Sequence, residues 1–178
     1  HRVDLEGTVT VPIVDVGPSV MPIPPYLLGE WGASVDTLLQ QGIDNLKDLC
    51  QAQWQRLPIP VGTGVYLDML CNDFYAAASV LRAEPFLPRI GRYGNLIALP
   101  ARELLISWPI NKLRSTYAIE AMLAIGNGAF ADGPCSITPH LYWRTPEGEF
   151  RLQQGTVDSG GIHFVPCPEF HKLMVRLR

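Results

Sequence analysis

The chain has 178 residues, of which 47% are hydrophobic and 17% are charged, and its formal net charge is −3. This composition excludes a disordered chain and is typical of one folded domain, since about 70% of the unfolded surface can be buried at this length. The basic residues are scattered, which argues against nucleic-acid binding, and no apolar run reaches the roughly 18–20 residues that cross a membrane.

We expect residues 1–29 to form an extended, proline-rich segment ahead of an α+β domain at residues 30–178. Residues 8–16 are rich in β-branched side chains and predict a strand, in which Pro12 indicates an edge position or a bulge. Residues 18–25 contain four prolines and predict an extended link that packs against the domain.

The clearest helix follows Ser34, a good N-cap residue, with Asp36 in the first turn, where the helix dipole favours a negative charge. Gly42 lies near its apolar stripe and indicates the close approach of a neighbouring element. The apolar residues of this helix keep to one face: Val35, Leu38, Leu39, Ile43, Leu46, Leu49 and Cys50.

Residues 95–110 predict the centre of the fold. The apolar runs Leu96–Leu99 and Leu104–Trp108 flank a short polar break, Pro100–Glu103. Runs of this length bounded by proline are typical of strands buried on both faces. Because proline cannot donate to a ladder, the break should be a turn between two central antiparallel strands.

The other segments alternate irregularly between the two kinds of secondary structure, which favours an α+β fold: an antiparallel sheet with helices packed on it, in a single compact domain. They are a strand at 64–70, a short helix at 74–82 capped by Asn72 or Asp73, a helix at 112–125 stopped by Gly126-Asn127-Gly128, a hairpin of 138–145 and 149–153, a strand at 162–165 and a terminal helix after Pro168.

Cysteine usage and the absence of a recognisable signal peptide favour a cytoplasmic protein. No CxxC pair occurs, so we expect free thiols in a reducing compartment rather than a disulfide framework. The four cysteines are widely spaced, at Cys50, Cys71, Cys135 and Cys167.

Two patterns resemble catalytic or metal sites, and each has a simpler explanation. Val157–Gly161 resembles the stretch around the nucleophile of chymotrypsin-like proteases, but the required histidine context is missing, and a turn between strands is expected. His163, Cys167 and His171 are four residues apart, but the prolines on either side of Cys167 prevent the helix that would align them. We therefore predict no metal site and no cofactor.

The candidate binding residues are Arg102 and Glu103 in the central turn, Asp73, and the adjacent aromatic residues Tyr142 and Trp143. Adjacent side chains on a strand face opposite ways, so at most one aromatic should belong to the core, and the other should lie on a binding surface.

Because no nucleophile–base set is recognised, the leading hypothesis is a non-enzymatic binding or protein-interaction domain, acting beside a partner protein as an immunity protein or regulator does. The alternative is an enzyme of unknown reaction, with a site assembled from Arg102, Glu103, Asp73 and Tyr142.

Four motifs follow one another over about residues 30–145: Trp31–Asp36 followed by Asn45-Leu46, then Asp73–Leu81, Leu96–Ile106 and Ser136–Tyr142. In this order they resemble the motifs of the YtpQ-like bacterial family, a group of proteins of unknown function. The resemblance implies an intracellular bacterial α+β domain, and it transfers no site residues because the family has no established activity.

Overall fold

The computed structural model describes residues 1–17, 19–49, 53–59, 64–71, 74–82, 86–112, 115–133 and 135–177. Its strands are β1 (Ile13–Val16), β2 (Ser19–Pro22), β3 (Trp54–Pro58), β4 (Tyr66–Cys71), β5 (Asn95–Ala101), β6 (Leu104–Pro109), β7 (Leu141–Arg144), β8 (Phe150–Asp158) and β9 (Gly161–Val165). Its helices are α1 (Pro25–Trp31), α2 (Val35–Leu49), α3 (Ser115–Asp132) and α4 (Pro168–Arg176), with a short 3-10 helix at Ala77–Leu81.

Seven strands form one sheet in the order β3-β4-β6-β5-β7-β8-β9, and every neighbouring pair is antiparallel. A separate two-stranded sheet joins β1 to β2. The predicted α+β fold with an antiparallel sheet is therefore confirmed. The predicted central pair is also confirmed, because β5 and β6 lie in the middle of the large sheet. Their turn is tighter than expected, since Pro100 and Ala101 continue β5.

One face of the large sheet is covered by α3, which lies across β5, β8, β4 and β9. The side chain of Phe170 from α4 joins the same layer, with its ring 5.4 Å from that of Trp143. The buried residues of this first face are Val65, Leu67, Leu96, Ala98, Ile106, Trp108, Ile110, Ala118, Ile119, Met122, Leu123, Leu141, Trp143 and Phe170.

The opposite face is covered by the N-terminal segment and by the 3-10 helix, on which α2 packs in turn. The small side chains of Ala76 and Ala77 allow this close packing. The buried residues of this second face are Leu5, Leu70, Ala76, Ala77, Val80, Phe86, Leu87, Ile97, Leu99, Leu105 and Tyr142.

Coverage on both faces corrects the prediction that only one of the two adjacent aromatic residues is buried. Tyr142 and Trp143 do face opposite sides of β7, but they are 1% and 9% exposed. The Tyr142 hydroxyl donates to the carbonyl of Glu6 at 2.7 Å, and the Trp143 indole donates to that of Tyr93 at 2.8 Å. Neither aromatic side chain therefore forms the exposed surface that the sequence predicts.

The predicted stop of α3 at Gly126-Asn127-Gly128 is also wrong, because the helix continues to Asp132. A Cβ on Gly126 would lie 4.0 Å from that of Ala98, so the glycine lets α3 lie close to the central strand β5. The Asn127 side chain donates to the carbonyl of Leu123 at 2.9 Å, within the helix. Packing on the sheet outweighs the weak helix propensity of these residues.

The smaller differences lie near the N-terminal half. The strand predicted over residues 8–16 is confined to β1, preceded by an isolated bridge between Arg2 and Thr10. Part of the proline-rich link forms β2 and α1, while Pro18 lies outside the described residues. The helix predicted over residues 74–82 is the shorter 3-10 helix, and its proposed caps, Asn72 and Asp73, also lie outside the described residues.

Candidate functional site

A cavity of about 440 Å³ lies between the N-terminal segment, α2, the region of the 3-10 helix and the end of β5. Its volume falls within the range typical of small-molecule sites. Its walls are predominantly apolar; they include Val9, Val11, Pro12, Ile13, Leu38, Leu39, Ile43, Leu46, Phe74, Ala77, Ala78, Val80, Leu81, Leu99 and Ile137.

The amphipathic helix α2 supplies one wall of this cavity. Its start is fixed as predicted, because the Ser34 hydroxyl accepts a hydrogen bond from the backbone N–H of Thr37 at 3.1 Å. Leu39 and Leu46 on the inner face are buried. Gly42 lies between them on the same face, and a Cβ there would meet no atom within 4 Å. The missing side chain therefore leaves space in the cavity.

Among the lining residues that the structure describes, Arg102 is the one with a charged side chain. Its backbone is held on both sides, because its N–H donates to the carbonyl of Cys135 at 3.0 Å and its carbonyl accepts from Ala77 at 3.1 Å. The guanidinium lies over the ring of Phe74, with 4.9 Å between the guanidinium carbon and the ring centroid. Within the described part of the chain, its buried Nε atom has no hydrogen-bond partner.

Tyr75 also lines the cavity, and its hydroxyl donates to the carboxylate of Asp15 at 2.5 Å. Burial, followed by the hydrogen bond and the negative charge of Asp15, raises the pKa of Tyr75 to about 12, against the opposing effect of Arg102. The phenol is therefore neutral at pH 7. The bond joins β1 to the segment before the 3-10 helix, so it ties the N-terminal segment across the cavity.

Of the sequence-predicted site residues that the structure describes, only Arg102 lines this cavity. Arg102 lines it, whereas Glu103 is absent from its walls and Tyr142 and Trp143 are buried elsewhere in the sheet layers. Burial raises the pKa of Tyr142 to about 12, which keeps this side chain neutral as well. Asp73 lies outside the described residues.

The patterns set aside as metal or protease sites have structural roles. Asp158 and Gly161 bracket the tight turn between β8 and β9, as predicted. Cys167 precedes α4, and its backbone N–H donates to the side-chain oxygen of Gln153 at 3.0 Å. Among the described residues, no group of three His, Cys, Asp or Glu side chains could hold a metal ion. Cys71, Cys135 and Cys167 are free thiols, and Cys50 lies outside the described residues.

A buried polar cluster occupies the other end of the second sheet face, and its members satisfy one another. Arg89 donates two hydrogen bonds to the carboxylate of Asp68, at 2.9 and 2.7 Å. Asn95 donates to the carbonyl of Arg89 at 2.9 Å and to the hydroxyl of Ser107 at 3.0 Å. Such a paired cluster fixes the loop before β5.

A second, polar cavity of about 370 Å³ is lined by side chains of both signs, among them Asp4, Arg82, Arg144 and Glu147. Asp4 already pairs with Arg2, at 2.8 Å between the Nε and Oδ1 atoms. One oxygen of Asp4 and the Nε of Arg82 are buried without partners in the described part of the chain. Ligand sites are lined mostly by apolar side chains, and this lining carries charges of both signs, so the apolar cavity is the stronger candidate site.

Comparisons of the chain with protein-family models, curated proteins and solved structures gave no significant match. The likeness to the YtpQ-like family therefore stays a prediction. No helix within the described ranges is long and apolar enough to span a membrane.

Sequence reasoning identified Arg102 but missed the rest of the cavity. Its walls come from segments far apart in the chain, namely residues 8–13, α2, residues 74–81 and residues 135–137. One signal was available, since a glycine on the apolar face of a helix leaves either a close contact or a space. The sequence predicts a close contact at Gly42, whereas in the structure a Cβ at this position would meet no atom within 4 Å.

Proposed function

We propose that this protein is a non-enzymatic binding domain, which holds a small, largely apolar molecule in the cavity beside α2. The observation that carries the proposal is the cavity of about 440 Å³, with predominantly apolar walls and one fixed guanidinium. On the sequence resemblance alone, we further propose that it is a bacterial cytoplasmic protein.

The polar groups of the cavity favour binding over catalysis, because they do not form an acid–base pair or a nucleophile with its base. Tyr75 has its hydroxyl bonded to Asp15, and Arg102 supplies a positive charge without an adjacent base at hydrogen-bond distance in the described part of the chain. A general acid or base must lie within hydrogen-bond reach of its reacting group. Binding of an apolar molecule, by contrast, requires only apolar walls that remove its surface from water.

The direct test is calorimetric titration with 1-octanol, a neutral probe with an aliphatic body. We expect one molecule bound per chain, with a negative heat-capacity change from apolar burial and a Kd on the order of 0.1–1 mM for so few atoms. Absence of saturable binding up to the solubility of the probe would contradict the proposal.

Two valines of equal exposure provide a matched pair for locating the bound probe. Val9 lines the cavity and is 64% exposed, whereas Val3 is 63% exposed and does not line it. Because both side chains are largely exposed, a carboxylate at either position should leave the fold intact. Val9→Asp should weaken 1-octanol binding about threefold or more by adding a charge to the apolar wall, and Val3→Asp should leave it unchanged.

A second candidate function is interaction with a partner protein through the N-terminal segment. Several large apolar side chains are exposed there: Val3, Val9, Val11, Val16, Met21, Tyr26 and Trp31. Such a surface is typical of protein-contact sites. Equal affinity of a partner for wild type and for a Tyr26→Ser/Trp31→Ser variant would exclude this surface as the contact site.

A further inference from the structure

We infer that the molecule held in the apolar cavity carries a carboxylate, which Arg102 binds. The inference rests on the proposed function and names the ligand class: an aliphatic monocarboxylate. Among the lining residues that the structure describes, Arg102 is the one with a cationic side chain, and the remaining wall is mostly hydrocarbon. An apolar body with one anionic group matches that distribution.

The position of Arg102 is fixed before any ligand arrives. Both backbone groups of the residue are hydrogen-bonded, to Cys135 and Ala77, and the guanidinium lies against the Phe74 ring. A side chain held in this way loses little freedom on binding, which favours recognition of a planar carboxylate.

The guanidinium also has free bonding capacity. Among the described residues, Arg102 has no ion pair, and its buried Nε has no hydrogen-bond acceptor. A carboxylate held in the cavity would give this guanidinium an anionic partner through a charge-assisted hydrogen bond. A single guanidinium suits a monoanion, whereas a phosphate dianion is usually held by several donors.

Asp15 does not line the cavity, but its carboxylate is linked to the cavity through the lining residue Tyr75. Its carboxylate accepts a hydrogen bond from the Tyr75 hydroxyl. Asp15 raises the pKa of Tyr75, whereas the charge of Arg102 lowers it. The negative charge of Asp15 therefore opposes an incoming carboxylate. Removing this charge should strengthen anion binding and leave the binding of a neutral probe unchanged.

The test compares octanoate, 1-octanol and octylammonium by calorimetry at pH 7. Wild type should bind octanoate roughly fivefold tighter than 1-octanol and octylammonium more weakly than either, since a charge-assisted hydrogen bond adds to the same apolar contact. In Arg102→Gln, octanoate should lose this advantage while 1-octanol binding is retained. Asp15→Asn should tighten octanoate binding roughly twofold, as expected for removal of a solvent-screened charge.

The matched control is Arg92→Gln, because the exposed Arg92 also lies over an aromatic ring, that of Tyr93 at 5.4 Å, but does not line the cavity. It should leave all three affinities unchanged. If 1-octanol binds wild type but octanoate binds no tighter, or if Arg102→Gln keeps the preference for octanoate, the inference is overturned and the proposed function stands. If neither probe binds wild type, both fail.

Discussion

Filling the cavity from α2 should block binding without weakening the fold. Gly42 lies inside α2, lines the cavity, and would meet no atom within 4 Å if it carried a Cβ. A leucine at this position would project its side chain into the proposed binding space. Most substitutions that abolish binding also damage the protein, so a stabilising one separates the two effects.

The expected stability change follows from helix propensity. Glycine in a helix interior is about 0.8–1 kcal/mol less favourable than alanine, and leucine lies close to alanine. Gly42→Leu should therefore raise the free energy of unfolding by about 0.5–0.8 kcal/mol, since the new side chain meets open space. For a chain of this length, that corresponds to an increase in Tm of roughly 1–3 °C.

Gly128→Leu is the control, because Gly128 lies in α3, its added Cβ also meets no atom within 4 Å, and it does not line the cavity. Urea unfolding should show a similar gain in stability for both variants. Calorimetry should show that 1-octanol binding weakens by about tenfold or more in Gly42→Leu only, because the leucine occupies the ligand's space. Wild-type affinity in Gly42→Leu would refute the assignment of the cavity.

Two further predictions concern the fold. Gly94→Ala should destabilise the protein by several kcal/mol in urea unfolding, because a Cβ there would lie 2.0 Å from a backbone oxygen. Gly7→Ala is the control: its φ is similarly positive, but its Cβ would meet nothing within 4 Å, so it should cost only about 1 kcal/mol. Between pH 10 and 12, the free energy of unfolding of wild type should fall by up to about 2 kcal/mol more than that of Tyr142→Phe. The reason is that the buried phenol, with its pKa raised to about 12, stays protonated in the folded state, while the phenol of the unfolded chain ionises.

Both the glycine comparison and the pH profile of Tyr142→Phe have an outcome that would contradict the described packing. Equal costs for Gly94→Ala and Gly7→Ala would mean that the loop before β5 is not packed as closely as described. For Tyr142, a raised folded-state pKa stabilises the protein below the unfolded pKa, and that contribution disappears as pH rises through the folded pKa. Parallel stability profiles for wild type and Tyr142→Phe would show that the hydroxyl is not protected in the folded state.

The central sheet could be predicted from the sequence because its signal is local. Residues 96–99 and 104–108 are continuous apolar runs, and such runs are stable only where both faces are covered. The strand β7 has no such continuous apolar run to indicate that both of its faces are covered. Alternation places Tyr142 and Trp143 on opposite sides of their strand, but it contains no information on whether other segments cover both sides.

The candidate site was harder to predict because it is a space and not a motif. Its walls depend on how far α2 stands from the sheet, which small residues such as Ala77 and Gly42 determine jointly with the N-terminal segment. Arg102 could be selected as a charge beside buried strands, but only the folded chain shows that its Nε has no hydrogen-bond partner among the described residues. Tyr75 had no distinguishing signal in the sequence.

The most direct test of the binding cavity is a methyl NMR titration of the protein with 1-octanol. The methyl resonances of Leu39, Ile43, Leu99 and Ile137, which line the cavity, should shift in a saturable way. Those of Leu96 and Leu141, buried on the opposite face of the sheet, should stay in place. Shifts confined to the opposite face, or no saturable shift at any of these methyl groups, would contradict the account.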